Sequence, residues 1–277
     1  MKADCHIHMV LDGYNWRTAI ARHTEKPDEQ FIRQALSKYQ ALGYTYLRDG
    51  GDRWGVGQTA RTLAPEYGIT YRTPLSPLHR KGHYGGFIGT AYETMEEFAR
   101  LVLKTKEAGG DFIKIMISGL MDFNHFGVLT EPGLAKEEIG ELIHIAREEG
   151  MAVMVHANGA RTVEAAAEAG AASVEHGAYL DAQALAAMED QGTVWVPTLS
   201  TVANLRGTGR FPEKEVVRIL ESTRENLAKY KGLVAPGTDA GAWSVPHGAA
   251  TEEALLQECG ISLARQAEGA RKIQELF

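Results

Sequence analysis

The chain has few of the features that mark secreted, membrane-spanning or nucleic-acid-binding proteins. Two cysteines, Cys5 and Cys259, form neither a metal-binding spacing nor a disulfide framework, which predicts a reducing, cytoplasmic compartment. No apolar run reaches about 18 residues and no signal segment opens the chain, so we expect no membrane span and no membrane partner. Lys and Arg number 29 against 36 Asp and Glu, without a basic cluster, which argues against a nucleic-acid partner.

What remains is the composition of an ordinary globular protein with a large core. Of the 277 residues, 44% are hydrophobic and 23% are charged, and the net charge is −7. No internal repeat, low-complexity linker or shift of composition divides the chain. We therefore expect one domain over residues 1–277 that acts on a small-molecule substrate. The sequence leaves open whether the protein forms a homo-oligomer.

Short apolar segments alternate with helical patterns along the whole chain. The helices have recognisable ends, such as Pro27 in a first turn, Gly43 as a stop and Ser262 as an N-cap. Eight such units predict an α/β protein folded as a parallel (β/α)8 TIM barrel, which takes about 250 residues. An open doubly wound sheet is the alternative, but it would place a Gly-rich phosphate loop after the first strand. The predicted strands are residues 2–9, 44–47, 69–75, 111–117, 151–156, 172–176, 193–196 and 233–236.

The first predicted strand carries a pair of histidines in place of a phosphate loop. His6 and His8 are two residues apart, so on an extended strand both side chains point into the same cavity. By the same alternation we expect Asp4 to share their face, and Cys5 and Ile7 to point outward against helices.

Further polar residues stand at the carboxyl ends of the fourth, fifth, sixth and eighth predicted strands. In a barrel these ends meet at one mouth, where the chemistry takes place. Each residue alone has a plain structural explanation, such as a core histidine or a helix cap. Their combination at one mouth predicts a shared site. The set comprises His6, His8, Lys114, His156, His176 and Asp239.

In the order and type of these residues the chain resembles the amidohydrolase superfamily of metal-dependent hydrolases. The resemblance is to the binuclear type with a carboxylated lysine, in the branch of imidazolonepropionase-like and Xaa-Pro dipeptidase-like enzymes. The matching strings are Leu-Arg48-Asp49-Gly, Ile-Lys114-Ile-Met-Ile-Ser118-Gly119, Val-His156-Ala-Asn-Gly, Val-Glu-His176-Gly, Val-Pro197-Thr198-Leu and Gly-Thr-Asp239-Ala-Gly.

The resemblance implies two divalent metal ions, most simply zinc, with manganese, cobalt or iron as alternatives. It implies that His6, His8 and Asp239 hold one ion and that His156 and His176 hold the other. Lys114, carboxylated by CO2, would bridge both together with a hydroxide, and Asp239 would act as acid and base.

The chemistry of Lys114 is consistent with that role. A free ammonium would repel two cations, whereas a carbamate offers an anionic oxygen to each. Burial in an apolar strand favours the neutral amine, which is the form that reacts with CO2.

Substrate contacts are less well marked in the sequence. His83 lies in a Gly-flanked loop, and it resembles a histidine that contacts the substrate in related enzymes. Tyr179, three residues beyond His176, and Arg72 are further candidates for holding a carbonyl or a carboxylate. We expect a small amide-type C–N bond as the target, as in an N-acyl amino acid, a dipeptide or a cyclic amide.

Two other functions remain open at this point. A lactonase or phosphoesterase would use the same metal centre on a different bond, and a non-catalytic metal-binding barrel would leave Lys114 unmodified. The chain also departs from most of the superfamily, because we expect it to lack the small β-sandwich domain that many of these enzymes build from both termini. That expectation leaves the floor of the barrel without a predicted cover.

Overall fold

A computed structural model describes residues 2–277, so only Met1 of the predicted domain lies outside the described residues. Strands and helices alternate through this range. The strands are β1 (Lys2–Ile7), β2 (Tyr44–Asp49), β3 (Thr70–Arg72), β4 (Leu78–Arg80), β5 (Thr90–Tyr92), β6 (Ile113–Met116), β7 (Val153–Ala157), β8 (Ser173–His176) and β9 (Val194–Val196). The helices are α1 (Trp16–Ala21), α2 (Glu29–Ala41), α3 (Val56–Leu63), α4 (Met95–Glu107), α5 (Lys136–Glu148), α6 (Ala160–Glu168), α7 (Ala182–Gln191), α8 (Leu199–Ala203), α9 (Glu213–Lys229), α10 (Glu252–Glu258) and α11 (Leu263–Leu276).

The strands are parallel and follow one another around a barrel. One ladder joins β1, β2 and β3, and a second runs in the order β5-β4-β6-β7-β8-β9. Parallel bridges from Trp195 to Val234 and from Ile7 to Ala240 place residues 233–240 between β9 and β1, in the eighth position. Between β3 and β6 the regular ladder is interrupted, and the Asp111 amide donates to the Thr73 carbonyl at 3.0 Å.

The predicted elements differ from the observed ones where a regular element is very short. The segment predicted as an eighth strand, 233–236, occupies the eighth position but forms only one bridge, at Val234. Its carbonyls accept from the Trp195 amide at 2.9 Å and the Cys5 amide at 2.8 Å, so it pairs with both neighbouring strands without a regular ladder. The loops predicted at 10–26 and 76–90 contain α1, β4 and the start of β5. Segments of three to six residues are too short to carry a readable hydrophobic period.

Side-chain caps define the starts of five of the eleven helices within residues 2–277. The Asp28 carboxylate accepts from the Phe31 amide at the start of α2, and the Thr94 hydroxyl accepts from the Glu97 amide in α4. The predicted cap Ser262 is confirmed, since its hydroxyl accepts from the Arg265 amide.

Strand β1 contains a bulge that changes which way its side chains point. Asp4 pairs with Leu47 and Ile7 pairs with Asp49, so β1 advances by three residues over a stretch where β2 advances by two. Cys5 therefore packs in the barrel interior, and the Asp4 carboxylate turns away to accept from the Thr238 amide at 2.9 Å. The prediction of an outward side chain was right for Ile7 and wrong for Cys5, and the prediction that Asp4 shares the face of the two histidines was wrong.

The lower half of the barrel is filled and capped. Interior side chains from β1, β2, β7 and β9 form one buried cluster with Phe112, Ala235 and the face of α11 that carries Ala270 and Ile273. Phe277 completes this floor, packing edge-on against Phe112 with ring centroids 4.9 Å apart. Helix α11 approaches closely because Gly269 has no side chain, and a Cβ there would lie 2.2 Å from the Val234 carbonyl oxygen. Residues 2–277 include no β-sandwich, and none of their helices has both the length and the apolar character to cross a bilayer.

Arg48 crosses the barrel interior above this floor, with none of its surface exposed. Its guanidinium donates to the Cys5 carbonyl at 2.7 Å, to the Ser173 hydroxyl at 2.8 Å and to Glu175 Oε1 at 2.8 Å. It also lies 4.5 Å from the centroid of the Phe277 ring. These contacts join β1, β2, β8 and α11 through one cation.

Removing this cation should destabilise the whole fold. We expect Arg48→Ala to lower the free energy of unfolding by about 3–5 kcal/mol, because it leaves the buried Glu175 carboxylate without its charge partner. Arg33→Ala is the matched control, since it removes an exposed pair with Glu66 and should cost less than about 1 kcal/mol. Urea unfolding with chelator present measures both values, and equal costs would contradict the role of Arg48.

Candidate metal centre and its cavity

The six predicted ligand residues meet at the carboxyl ends of the barrel strands. The bulged strand β1 delivers two of them, β6, β7 and β8 deliver one each, and the last follows the bridge at Val234. All six are buried, and a buried polar group is stable only with a hydrogen-bond partner or a bound ion. They are His6, His8, Lys114, His156, His176 and Asp239.

Three of these residues already form a cation-sized triangle. His6 Nε2 lies 3.3 Å from His8 Nε2, and Asp239 Oδ1 lies 3.5 and 3.4 Å from the same two atoms. Tetrahedral coordination with bonds of about 2.0–2.1 Å separates ligand atoms by about 3.3–3.4 Å. The spacing therefore fits a zinc-sized ion.

Several buried polar atoms around the triangle have no hydrogen-bond partner. These are His8 Nδ1, Asp239 Oδ1 and Lys114 Nζ. A buried polar atom without a partner costs free energy comparable to a lost hydrogen bond or more, and an isolated buried ammonium costs far more. The donor set of neutral imidazoles, a carboxylate and a lysine amine fits divalent cations and a carbamate.

His156 and His176 lie against one another, with ring centroids 4.6 Å apart. His176 Nδ1 bonds Thr198 Oγ1 at 2.7 Å, which leaves its Nε2 as the available ligand atom. His156 Nε2 lies 3.2 Å from the Gly119 carbonyl, which leaves its Nδ1. The centroid of His176 is also 5.2 Å from that of His6, so the pair adjoins the triangle.

A second layer of side chains orients this first one, and the sequence prediction had overlooked it. Glu175 Oε2 accepts from His6 Nδ1 at 2.7 Å, so the proton on Nδ1 directs the bare Nε2 toward the triangle. The other Glu175 oxygen is held by Arg48. The available signal was alternation in β8, where Glu175 stands two residues from the inward-facing Ser173.

Backbone strain collects at the same place. His176 (φ 69°), Thr198 (φ 50°) and Asp239 (φ 57°) all lie in the left-handed region that non-glycine residues seldom adopt. Gly50 makes room for a neighbouring ring, because a Cβ there would lie 2.3 Å from His8 Cε1. The strands thus end in conformations that aim side chains at the site at some cost in stability.

Burial sets the protonation states of the site. Desolvation first, and the Lys114 charge second, lower the pKa of His8 and of His156 to about 3 and the pKa of His6 well below its usual range. Desolvation, followed by the charges of His156 and His6, lowers the pKa of His176 well below its usual range. Burial also lowers the Lys114 pKa to about 8, against the opposing charge of Glu175. The imidazoles are therefore neutral at physiological pH, which is the form that binds metals.

The Asp239 pKa is shifted the other way in the absence of a cation. Burial raises it well above its usual range, and the charge of Lys114 opposes that rise. A cation bound at the triangle would favour the carboxylate form.

A cavity of about 260 Å³ opens above the six residues. Its walls are mainly apolar and aromatic, and the loops after the strands supply them. The wall residues include Leu11, Trp16, Tyr84, Phe87, Phe123, Leu205 and Trp243. Such a cavity fits a small substrate with an apolar body.

The three predicted substrate contacts do not line this cavity. Arg72 donates to Asp111 Oδ1 at 3.0 Å on the side of the barrel, and His83 Nδ1 lies 3.5 Å from Glu131 Oε2. Tyr179 packs edge-on against an aromatic side chain of the loop after β6. Their role in substrate binding stays a prediction that this arrangement does not support.

Tyr84 occupies the position that sequence reasoning assigned to its neighbour His83. Its ring lies over His156 with centroids 4.8 Å apart, and Phe87 extends the same wall at 5.6 Å. The Gly-rich loop predicts mobility around this point but not which of two adjacent residues turns inward.

The fold and site define a parallel α/β barrel with a histidine- and carboxylate-rich centre at its mouth. The sequence profile of the Amidohydrolase family matches residues 84–229, just over half of the chain. The chain belongs to the amidohydrolase family, which confirms the resemblance and places it among the hydrolases.

Individual proteins extend this comparison. Ochratoxinase from Aspergillus niger is 26% identical over 273 residues, covering 84% of this chain and 55% of that one. The chain thus spans about half the length of the curated relatives it matches. A Xaa-Pro dipeptidase with bound methionine superimposes with a TM-score of 0.76 at 23% identity, over 99% of this chain and 75% of that one. The crystal structure of A. niger ochratoxinase gives 0.75 at 22% identity, over 97% and 69%. These structures confirm the predicted barrel.

The buried histidines should make the metal-free protein sensitive to acid. Burial lowers the pKa of His156 from 6.5 in the unfolded chain to about 3 in the folded protein. Between these two pH values the unfolded chain binds a proton that the folded protein does not, so the free energy of unfolding falls as the pH drops. Relative to His156→Gln, the wild type should lose about 2 kcal/mol of unfolding free energy between pH 7 and pH 5. Urea titrations with chelator measure this difference, and an equal gap at both pH values would contradict it.

Proposed function

We propose that this protein is a binuclear metal-dependent amidohydrolase that cleaves a small amide-type C–N bond. The observation that carries the proposal is the triangle of His6 Nε2, His8 Nε2 and Asp239 Oδ1, with edges of 3.3–3.5 Å, beside the partnerless Lys114 Nζ. Lysine beside a cation site needs its charge removed, and carboxylation by CO2 both removes the charge and adds two ligand oxygens.

The residues divide between two ions. His6, His8 and Asp239 would hold one ion, His156 and His176 the other, and the Lys114 carbamate would bridge them. Nitrogen and oxygen donors suit zinc, with manganese, cobalt or iron as alternatives. When bound, two divalent cations supply Lewis-acid chemistry, because they acidify water and polarise a substrate carbonyl.

The chain's own residues perform the remaining tasks. The Asp239 carboxylate lies at the centre, so the oxygen that is not part of the triangle can accept a proton from the attacking water and donate it to the leaving nitrogen. Glu175 keeps the Nδ1 proton on His6, and Thr198 fixes the ring of His176. The apolar cavity walls limit the access of bulk water.

The amide class of substrate is supported by the relatives and by the cavity. Two of the similar structures are a Xaa-Pro dipeptidase and a prolidase. The first is named for cleaving dipeptides, and the second is bound to N-methylphosphonate-L-proline, a molecule of similar size. A cavity of about 260 Å³ suits a body of that size. N-acyl amino acids, dipeptides and cyclic amides are therefore the first substrates to test.

Metal binding should depend on Lys114. Protein purified without chelator should contain about two metal ions per chain, and Lys114→Ala should contain less than about one, because the bridging carbamate is gone. Metal analysis of both proteins gives the numbers.

Bicarbonate provides the control for this prediction. Reconstitution of the metal-free wild type should improve when bicarbonate is added, whereas Lys114→Ala should not respond. Full metal content and activity in Lys114→Ala would rule out the bridging role.

Proton transfer should depend on Asp239. We expect Asp239→Asn to lower kcat on an amide substrate by about 10²–10⁴-fold, since an amide cannot shuttle a proton. Metal content measured on the same samples separates this loss from metal loss. The screen should also include lactones and phosphate esters, and faster turnover of those would redirect the proposal to a different bond.

A further inference from the structure

Two tryptophans line the cavity, and each has an exposed arginine stacked on its ring. Trp243 comes from the loop after residue 240, and Trp16 begins α1. The guanidinium carbon of Arg210 lies 3.8 Å from the centroid of the Trp243 ring, and that of Arg17 lies 4.4 Å from the Trp16 ring. Cation–π contacts of this kind hold an arginine in one place while leaving its N–H groups free to bind.

On one side, Arg210 ends a continuous aromatic wall. Phe211 stacks on Trp243 with centroids 5.8 Å apart, and Phe123 packs on Phe211 at 5.1 Å. Phe123 and Trp243 both line the cavity. The Arg210 side chain is exposed, so this wall ends in a cation at the solvent boundary.

Arg17 ends a second wall of the same kind. Trp16 packs edge-on against Phe87 at 5.9 Å, Phe87 contacts Tyr84, and Tyr84 lies over the ligand residue His156. Aromatic rings therefore lead from each arginine into the cavity, and in the second wall they reach the metal centre itself.

Both cations lack a carboxylate partner within residues 2–277, where no Asp or Glu oxygen lies within 4.0 Å of either guanidinium. The acidic residues on the same two loops are already engaged. Asp12 Oδ1 accepts from the amides two and three residues further on, and Glu213 accepts from the Gly207 amide and lies 3.6 Å from Arg206. Each guanidinium is therefore a cation without a neighbouring counter-charge on a chain of net charge −7.

We propose that Arg17 and Arg210 form an anion-selecting mouth, so that the enzyme prefers substrates with a free carboxylate attached to an apolar or aromatic body. This inference rests on the proposed function, because it names the substrate class for the same cavity. The cavity itself offers no free basic side chain except Lys114, which the metal centre uses. A carboxylate that enters the apolar cavity would lose its hydration, whereas beside either exposed arginine it would keep water and gain a guanidinium partner.

Binding of a matched pair of ligands tests the proposal without turnover. The probes are N-benzenesulfonyl-phenylalanine and its primary carboxamide, titrated calorimetrically into the metal-loaded protein. Wild type should bind the carboxylate at least about fivefold more tightly, and more salt should reduce the ratio because the arginines are solvent-exposed. Arg17→Gln and Arg210→Gln should each lower this ratio, and the double variant should bring it near one.

Arg206→Gln is the control, since it removes a cation from the same loop as Arg210 whose side chain pairs with Glu213 and not with a tryptophan of the cavity. It should leave the ratio unchanged. A ratio that survives in the double variant overturns the proposal, because the carboxylate would then be held elsewhere, as on the metals. A normal ratio in a protein that hydrolyses no amide would keep the anion-selecting mouth and reject the proposed function.

Discussion

The hydrogen bond between His6 and Glu175 connects the stability of the barrel to the geometry of its centre. Glu175 accepts from His6 through one oxygen and from Arg48 through the other, and the Arg48 guanidinium in turn lies over the ring of Phe277. The same carboxylate fixes the tautomer of His6 and hence the direction of its ligand nitrogen. A polar column therefore runs from the floor to the metal-ligand triangle, and no member of it can be changed without affecting both.

The parts of the molecule that depend on periodicity were predictable. Alternation of apolar strands and amphipathic helices indicated the barrel, and strand ends indicated which polar residues share its mouth. His6 and His8 needed only the period of an extended strand, while His156 and His176 needed the position of their strands in the sequence. These residues could be chosen from the sequence because each stands in or shortly after one of the parallel segments of the barrel.

The parts that depend on contacts distant in sequence were not predictable. The bulge in β1 adds a residue that local pattern cannot reveal, so Cys5 was placed on the wrong face. The choice of Tyr84 over His83 depends on how a glycine-rich loop folds onto His156. Glu175 belongs to the matching string Val-Glu-His176-Gly, but the string does not explain its burial. The explanation is its contact with Arg48 across the barrel.

The packed floor closes the lower end of the cavity. The interior below the centre is filled by side chains and closed by Phe277, so the cavity ends at this centre. Under the proposed function, the reactant and both fragments would pass the aromatic walls, and the fragment nearer the opening would leave before the one lying against His156. The order of product release would then follow from the shape of the barrel.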